Sequence, residues 1–435
     1  ERAPAWCCLV FLVAAAVPVS PSPFDLRKAL QSITEYESDK YNCSIALAFR
    51  SKSLGSFPGV VSGVSDFESG RKTTIEDAFV WGSVTKTLTG ASILSLVDKG
   101  SFSLDDKITS YVNPILKKMA AKDPSKGYGS TLEELFGREV KKVTIRDLIS
   151  MKSGIPDFDT AKPEGQYPTD SFRATVYAHP QHAYGPMELL NLPWVKKGEL
   201  EFKPGYRFGY SSSNFILLGF ILAAQKGYDS WEDFDQSSVL NEKLKSELRN
   251  LRFAVTGDPK NYTNVHGYDR TSYNNQTGDH DVYQTAGVFS GWTASDLVGT
   301  VGDVANLTYE IYGPVHDFVS KETQEDMVPT EGFYGMSTMN FKGFTGNSSL
   351  PEHMAWGHLG ATYGFQSIVA YFPYIETALV IASSIETNRQ DQPADTLCLA
   401  YNTILNYAKG LPQPQCAYTK TSYYRSTCNC TTPSF

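Results

Sequence analysis

A serine and a lysine three residues apart, Ser83 and Lys86, open a stretch with helical periodicity. Residues at positions i and i+3 lie on the same face of a helix, so the hydroxyl and the amine are expected to be neighbours. A serine hydroxyl is a weak nucleophile until a base takes its proton, and an adjacent lysine amine can do this without a histidine. The spacing therefore predicts acyl transfer through a serine ester. Taken alone, the pair also fits a serine N-cap followed by a solvated lysine.

Two further segments, Tyr210-Ser211-Ser212 and His358-Leu359-Gly360, follow the pair in the chain. The sequence around the three segments resembles the serine β-lactamase-related superfamily. The resemblance is closer to the branch that holds class C β-lactamases, D-Ala-D-Ala carboxypeptidases, D-aminopeptidases and lactamase-like esterases, and it covers about residues 25–409. The similar stretches, in chain order, are Trp81–Thr89 with Ser103–Asp106, Thr144–Leu148 with Ser153-Gly154, Pro204–Ser211 with Leu217–Gly219, and Gly357–Gly360 with Gly364-Phe365.

The resemblance implies a role for each residue of the site. Ser83 would be the nucleophile that forms the acyl-enzyme, and Lys86 would assist removal of its proton. Tyr210 would act as general base or proton relay, and which of Lys86 and Tyr210 takes the proton stays open. The oxyanion would lie between the backbone N–H groups of Ser83 and Ala361, the residue after Gly360. Such donors typically contribute a few kcal/mol in the transition state.

Two positions depart from the pattern of the superfamily, and both are expected to contact substrate. His358 stands where many relatives carry lysine, and a histidine is mostly neutral near pH 7. It would hold a substrate carboxylate less firmly, which favours esters, amides or peptides over penicillin-like acids. A buried, purely structural role for His358 is the alternative. Ser212 replaces the asparagine that usually binds a substrate amide, and it is shorter than asparagine.

Composition limits the classes of partner. The chain has 435 residues, of which 41% are hydrophobic and 20% charged, and its net charge is −8. This is a globular composition, and it argues against general nucleic-acid binding, which needs a basic face. No metal site and no cofactor are expected, since the scattered histidines lack the spacing of metal ligands. The expected partner is a small-molecule or peptide substrate, and the oligomeric state stays open.

The N-terminal residues have the pattern of a secretory signal. Arg2 precedes an almost wholly apolar run, Trp6–Val17, which Pro18 ends. A membrane-spanning helix takes about 20 apolar residues, so a cleaved signal peptide over residues 1–23 is favoured over a membrane anchor. In a secreted protein the Asn-x-Ser/Thr sequons become candidate glycosylation sites. They occur at Asn42, Asn261, Asn275, Asn306, Asn347 and Asn429.

Cysteine usage agrees with an oxidising compartment. Five cysteines remain after the signal segment, and an odd number leaves at least one without an intramolecular partner. The expected pairs are Cys43 with Cys398, and Cys416 with either Cys428 or Cys430. The spacing of Cys428 and Cys430 also occurs in metal sites, but disulfide bonding is favoured.

The elements that must hold the site form a sheet interrupted by helices. Gln366–Phe372 and Ala378–Ser384 are predicted to form a hairpin around Pro373-Tyr374. The predicted fold class is α/β (α+β) and β-lactamase/transpeptidase-like, with an antiparallel sheet flanked by helices and an inserted all-helical domain. The expected limits are 24–80 and 285–409 for the sheet-containing part, 81–284 for the mostly helical part, and 410–435 for an irregular tail that carries cysteines. Segment 155–205 is either a pocket mouth or a surface excursion.

These observations predict a secreted serine hydrolase that forms an acyl-enzyme at Ser83. Its substrates would be amides, esters or peptides with D-residues. The alternative is a secreted binding or scaffold protein that keeps the β-lactamase fold but has weak or no catalysis.

Overall fold

The computed structural model describes residues 24–159, 172–272, 278–422 and 425–432. The predicted signal peptide and the sequon at Asn275 lie outside these ranges. The helices are α1 Leu26–Tyr41, α2 Thr85–Asp98, α3 Thr109–Lys122, α4 Leu132–Phe136, α5 Ile145–Ile149, α6 Phe172–Ala178, α7 Pro186–Leu190, α8 Ser213–Gln225, α9 Glu242–Glu247, α10 Val301–Tyr312, α11 Lys321–Met327 and α12 Asp391–Ala408. The strands are β1 Ile45–Ser51, β2 Gly55–Ser62, β3 Val64–Asp66, β4 Arg71–Lys72, β5 Phe79–Val80, β6 Arg252–Phe253, β7 Tyr268–Asp269, β8 His280–Asp281, β9 Leu297–Gly299, β10 Met339–Asn340, β11 Trp356–Thr362, β12 Phe365–Phe372, β13 Thr377–Ser383, β14 Ile385–Glu386, β15 Gln415–Ser422 and β16 Arg425–Thr431.

The main sheet is antiparallel and has the strand order β10-β11-β12-β13-β1-β2. The predicted hairpin is confirmed as β12 and β13, in which Ile368 faces Ile381. The N-terminal strand β1 pairs with β13, so segments far apart in the sequence meet at the centre of the sheet. The sheet is therefore complete only when β1 and β2, from the N-terminal part of the chain, join β10 to β13 from the C-terminal part.

Helices cover both faces of this sheet. Every residue of β12 and β13 is buried, which an antiparallel sheet achieves only when neither face meets water. Helices α1 and α12 pack on each other, α1 on β1 and β2 and α12 on β12 and β13, while α10 packs across β1, β12 and β13. The predicted arrangement of a sheet flanked by helices is therefore observed. Helices α2 to α9 and the short strands β6 to β8 fall within 81–284, although the domain limits themselves stay a prediction.

Local sequence signals set the ends of the elements around the site. Thr144 is the N-cap of α5, and its side chain and that of Asp147 form a reciprocal capping box. The chain then turns back through Met151 and Gly154 and reaches Asp157 beside the start of α8. Helix α8 is buried along most of its length, so it gives this loop a rigid support.

The residues after Gly410 form a β-hairpin, so the prediction of an irregular tail is wrong. Strands β15 and β16 pair directly, and β15 packs against α12. Cys416 and Cys430 face each other in this ladder and are joined by a disulfide bond, as one of the two predicted alternatives required. The tail lacks the alternation of apolar and polar residues that usually indicates a strand. The hairpin is stabilised instead by the packing of β15 on α12.

The predicted bond between Cys43 and Cys398 is wrong. Cys398, on α12, bonds to Cys428 on β16, with a Cα–Cα distance of 5.8 Å. The hairpin of β15 and β16 packs on α12 and so brings Cys428 to Cys398. The order of the cysteines in the sequence does not indicate this pairing. Cys43 remains a buried free thiol just before β1, and burial raises its pKa, so it is expected to be unreactive.

The sequons fall on different kinds of surface. The side chains of Asn42, Asn261, Asn347 and Asn429 are exposed, whereas Asn306 is half-buried within α10. Their glycosylation stays a prediction. Within the described ranges, no helix has the length and apolar character needed to cross a membrane.

Candidate active site

Ser83 and Lys86 are brought together as their spacing predicts. Ser83 lies on the 3₁₀ turn Gly82–Val84, and Lys86 lies in the first turn of α2. The Lys86 Nζ is 2.8 Å from the Ser83 Oγ and donates a second hydrogen bond to the Ala294 carbonyl at 2.9 Å. The amine is therefore fixed beside the hydroxyl by two contacts rather than solvated as an ordinary surface lysine.

The environment of Lys86 favours its neutral form. The side chain is fully buried, with 0% exposure. Burial lowers the pKa of Lys86 to about 7, although the negative charges of Asp157 and Asp159 oppose the shift. A substantial fraction of the amine is therefore unprotonated near pH 7, which is the form that can accept a proton from Ser83.

Tyr210 lies in the same neighbourhood, just before α8. The Lys86 Nζ is 5.2 Å from the centre of the Tyr210 ring, and the Tyr210 and His358 ring centres are 6.5 Å apart. The structure thus brings the tyrosine to the serine and lysine pair. Its role as base or proton relay stays a prediction.

The open edge of β11 faces the turn that carries Ser83. Strand β10 pairs only with the first residues of β11, and beyond them the Leu359 N–H points out of the ladder to the Met339 sulfur. Backbone N–H groups alternate in direction along a strand, so the Ala361 N–H points to the same side. A Cβ placed on Gly82 would lie 3.0 Å from the Ala361 nitrogen and 2.6 Å from its oxygen. The Ser83 and Ala361 backbones are therefore adjacent, as an oxyanion site requires.

This close approach depends on Gly360. A Cβ at Gly360 would collide with the Trp81 carbonyl oxygen and with the Ser367 hydroxyl, which itself donates to Trp81 at 2.9 Å. We expect Gly360→Ala to push the serine turn away from β11. Acylation should fall about a hundredfold, the effect of a displacement of about 1 Å, and stability should drop by about 1–3 kcal/mol. Rates of covalent labelling and thermal unfolding measure both effects.

Gly302→Ala is the matched control for this substitution. Gly302 lies in α10, and the nearest heavy atom to an added Cβ is the Pro58 oxygen at 3.3 Å. This contact is tight, but alanine is favoured over glycine in a helix, so the variant should keep its rate and change its stability by less than about 1 kcal/mol. An unchanged rate in Gly360→Ala would show that the approach of the turn to β11 is not needed.

His358 is buried within the protein. Its exposure is 0%, its Nδ1 is 2.5 Å from the Leu359 carbonyl, and its Nε2 is 3.2 Å from the Tyr334 hydroxyl. A carbonyl can only accept, so Nδ1 carries the proton and Nε2 accepts from Tyr334. Burial, with the nearby Lys86 charge, lowers the pKa of His358 to about 3. The ring is thus neutral, which favours the structural alternative. Contact with substrate stays a prediction.

Ser212 lines the same pocket as Ser83, whereas Asn214 does not. Ser212 is the residue before α8, and its backbone N–H donates to Asp157 at 2.9 Å. The Asn214 side chain is buried, and its oxygen accepts from the Ser153 hydroxyl at 2.6 Å. Asn214 therefore does not replace the asparagine that the resemblance leads one to expect at position 212.

The pocket at Ser83 is narrow, with a cavity volume of about 20 Å³. This is little more than the roughly 10–15 Å³ that one water molecule needs, so the pocket is a cleft beside Ser83 rather than a large cavity. Asp159 and Tyr363 also line this pocket, and no motif in the sequence singled them out. The sequence indicates a place for Tyr363 at the pocket only through its position two residues after Ala361, the predicted oxyanion donor. Asp159 belongs to segment 155–205, for which the sequence predicts either a pocket mouth or a surface excursion. Its first residues, up to Asp159, lie at the pocket, and residues 160–171 are outside the described ranges.

In the described part of the chain, one group of side chains has the spacing of metal ligands: Cys398, Cys428 and Cys430. All of these residues take part in the two disulfide bonds, which explains their proximity. The expectation of a metal-free reaction stays a prediction.

Comparisons with known proteins agree with this architecture. The D-amino acid amidase from Ochrobactrum anthropi SV3, complexed with L-phenylalanine amide, superposes with a TM-score of 0.65 and 17% identity, over 89% of this chain and 99% of that chain. The octameric penicillin-binding protein homologue from Pyrococcus abyssi gives a TM-score of 0.64 and 22% identity, over 88% and 78%. These likenesses confirm the predicted fold class.

Curated relatives match a shorter part of the chain. Protein flp from Staphylococcus aureus (strain NCTC 8325 / PS 47) is 23% identical over 198 residues, which is 46% of this chain and 33% of that protein. The putative fimbrial assembly protein FimD, serogroup D, from Dichelobacter nodosus is 27% identical over 162 residues, or 37% and 32%. The matched part of this chain thus spans about a third of the length of these relatives.

The family profile covers most of the chain. The profile named Beta-lactamase matches residues 46–400, a range that runs from β1 into α12 and includes Ser83, Lys86, Tyr210 and Ala361. The chain belongs to the Beta-lactamase family.

Proposed function

We propose that this protein is a secreted serine hydrolase that acts on amides, esters or D-residue peptides through an acyl-enzyme at Ser83. One observation carries the proposal: a fully buried lysine, whose pKa is lowered to about 7, lies 2.8 Å from the Ser83 hydroxyl. A merely structural lysine at a buried position normally gains an acidic partner. Here its nitrogen donates to a hydroxyl and to a backbone carbonyl, an arrangement suited to activating a nucleophile.

The reaction follows from these positions. The Ser83 oxygen attacks the substrate carbonyl carbon while its proton passes to Lys86, directly or through Tyr210. The negative charge on the carbonyl oxygen is stabilised by the N–H groups of Ser83 and Ala361. Collapse breaks the carbon–nitrogen or carbon–oxygen bond, and the leaving group takes the proton. Water then attacks the serine ester, releases the acid and restores the hydroxyl.

The names of similar proteins support amides as substrates. A D-amino acid amidase and a D-stereospecific amidohydrolase from Streptomyces share the fold. Secretion rests on the signal-like N-terminus and on the two disulfide bonds, which form in oxidising compartments.

The second candidate is a binding or scaffold protein without catalysis. The observation that favours it is Ser212, since Asn214 is held by Ser153 and does not replace the missing asparagine. Without an amide-binding side chain at position 212, substrate orientation could be too weak for turnover. This candidate predicts a folded protein that forms no covalent adduct.

Covalent labelling with a fluorophosphonate tests the proposal. The oxygen of an activated serine displaces fluoride from phosphorus and forms a stable ester, which mass spectrometry locates. We expect one adduct, on Ser83. A folded protein with no adduct, or an adduct elsewhere, would favour the binding protein.

A further inference from the structure

Asp159 is the one charged side chain among the described residues that line the pocket at Ser83. The walls otherwise carry aromatic, aliphatic, glycine, serine and threonine residues. The amine of Lys86 donates to Ser83 and Ala294, and because burial lowers its pKa to about 7 it carries only part of a positive charge near pH 7. The field that a substrate meets in the described part of the pocket is therefore negative.

The nearest guanidinium does not reverse this field. The Arg173 guanidinium lies 4.5 Å from the centre of the Tyr363 ring and is not among the residues that line the pocket. It forms ion pairs with the buried carboxylates of Asp269 at 2.8 Å and Glu386 at 2.7 Å. Its charge is thus balanced inside the protein by two carboxylates.

The loop that carries Asp159 is tied to α8 and to its own backbone. The Asp157 carboxylate accepts from the backbone N–H of Ser212 at 2.9 Å and from that of Asp159 at 3.3 Å. The Phe158 N–H donates to the Ser213 hydroxyl at 3.1 Å, and the Phe158 carbonyl accepts from the Trp194 indole. Asp159 is exposed, but its backbone position is fixed.

Tyr363 orients the carboxylate. Its hydroxyl donates to Asp159 Oδ1 at 3.0 Å. Burial and the adjacent Asp159 charge hold the pKa of Tyr363 well above its usual value, so the phenol keeps its proton and remains a donor. Tyr363 directly follows β11, the strand that supplies Ala361, so the same strand positions the oxyanion donor and the partner of Asp159.

We propose that Asp159 binds a cationic amine of the substrate, so that the preferred substrates are amides or esters that carry a free ammonium group. The inference rests on the proposed hydrolase function and names its substrate class. A carboxylate has several acceptor positions, so Asp159 can accept from an ammonium while it holds Tyr363. Hydrogen bonds between oppositely charged groups are stronger than those between neutral groups, so an ammonium group should bind more tightly than a neutral group of similar size. Anionic substrates are disfavoured by the same charge.

The test compares fluorophosphonates that differ only in their end group: a primary ammonium, a neutral acetamide or a carboxylate, each on a short and a longer spacer. The rate constant for labelling of Ser83 is measured for every probe. We expect the ammonium probe of at least one spacer length to react roughly tenfold or more faster than the acetamide probe, and the carboxylate probe to be slowest. The ratio should shrink as salt screens the charge.

Asp159→Asn should bring the ammonium-to-acetamide ratio close to one, and Asp159→Glu should restore part of it. Asp39→Asn, an exposed carboxylate of α1, should keep the wild-type ratio. An effect of Asp159 on the reactivity of Lys86 changes the labelling rates of all probes by the same factor. It therefore does not change the ammonium-to-acetamide ratio. Equal rates for ammonium and acetamide probes at both spacer lengths, or a ratio that survives in Asp159→Asn, would overturn the inference while leaving the hydrolase proposal intact. Absence of any label on Ser83 would overturn both.

Discussion

Replacing Ser83 by alanine is expected to abolish hydrolysis and fluorophosphonate labelling while leaving the fold intact. Removal of a nucleophile that acts together with its base typically lowers kcat by about 10⁴–10⁶-fold. The Ser83 side chain is partly exposed and contacts the Lys86 amine, which keeps its bond to Ala294 in the variant. The free energy of unfolding should therefore change by less than about 1 kcal/mol. Turnover of an activated ester and thermal unfolding are the two measurements.

A neighbouring serine supplies the control. Ser290 also lines the pocket, but its hydroxyl donates to the Gly287 carbonyl at 2.6 Å, away from any base. Ser290→Ala should therefore keep the label on Ser83 and most of the activity. Activity retained in Ser83→Ala would remove this residue as the nucleophile and would point to a different reaction centre.

The local parts of the site could be predicted from the sequence because their geometry depends on residues that are close together in the chain. Ser83 and Lys86 meet because three residues nearly complete a helical turn, and Thr144 caps α5 through Asp147 three residues later. The hairpin of β12 and β13 shares this property, since its strands are joined by a short turn around Pro373. In each case the chain itself limits the possible partners.

The parts that were missed depend on contacts between distant segments. The carbonyl that holds Lys86 belongs to Ala294, 208 residues later in the chain. Asp159 and Tyr363 are 204 residues apart and meet only because the loop after α5 and the end of β11 converge on one pocket. The error at Cys43 has the same origin, since the partner of Cys398 is chosen by the packing of the tail hairpin on α12.

His358 illustrates how burial changes the meaning of a motif. The sequence places a titratable ring where relatives carry a cation, which predicts a weak contact to a substrate carboxylate. The structure puts this ring behind Tyr334 and keeps it neutral. The proposed preference against anionic substrates therefore has two independent sources: a neutral ring at position 358 and the Asp159 carboxylate on the pocket wall.

Lys86→Met is expected to lower the rate of Ser83 acylation by about 10²–10⁴-fold, the usual contribution of a positioned base. In the wild-type enzyme this rate should rise with pH through about 7 and then level off, because the neutral amine is the reactive form and its fraction grows as the pH passes the pKa of Lys86. Methionine fills a similar volume without a charge, so the variant should fold. The second-order labelling rate between pH 5 and pH 9 provides the measurement.

Tyr210→Phe identifies which group takes the proton. If Lys86 is the base, this variant should be slower at every pH but should keep the rise near pH 7, whereas Lys86→Met should lose it. Asp159→Asn removes a charge that raises the pKa of Lys86, so its profile should move to lower pH. A rise near pH 7 that persists in Lys86→Met would assign the titration to another group, and it would separate the buried lysine from the proton transfer on which the proposed mechanism depends.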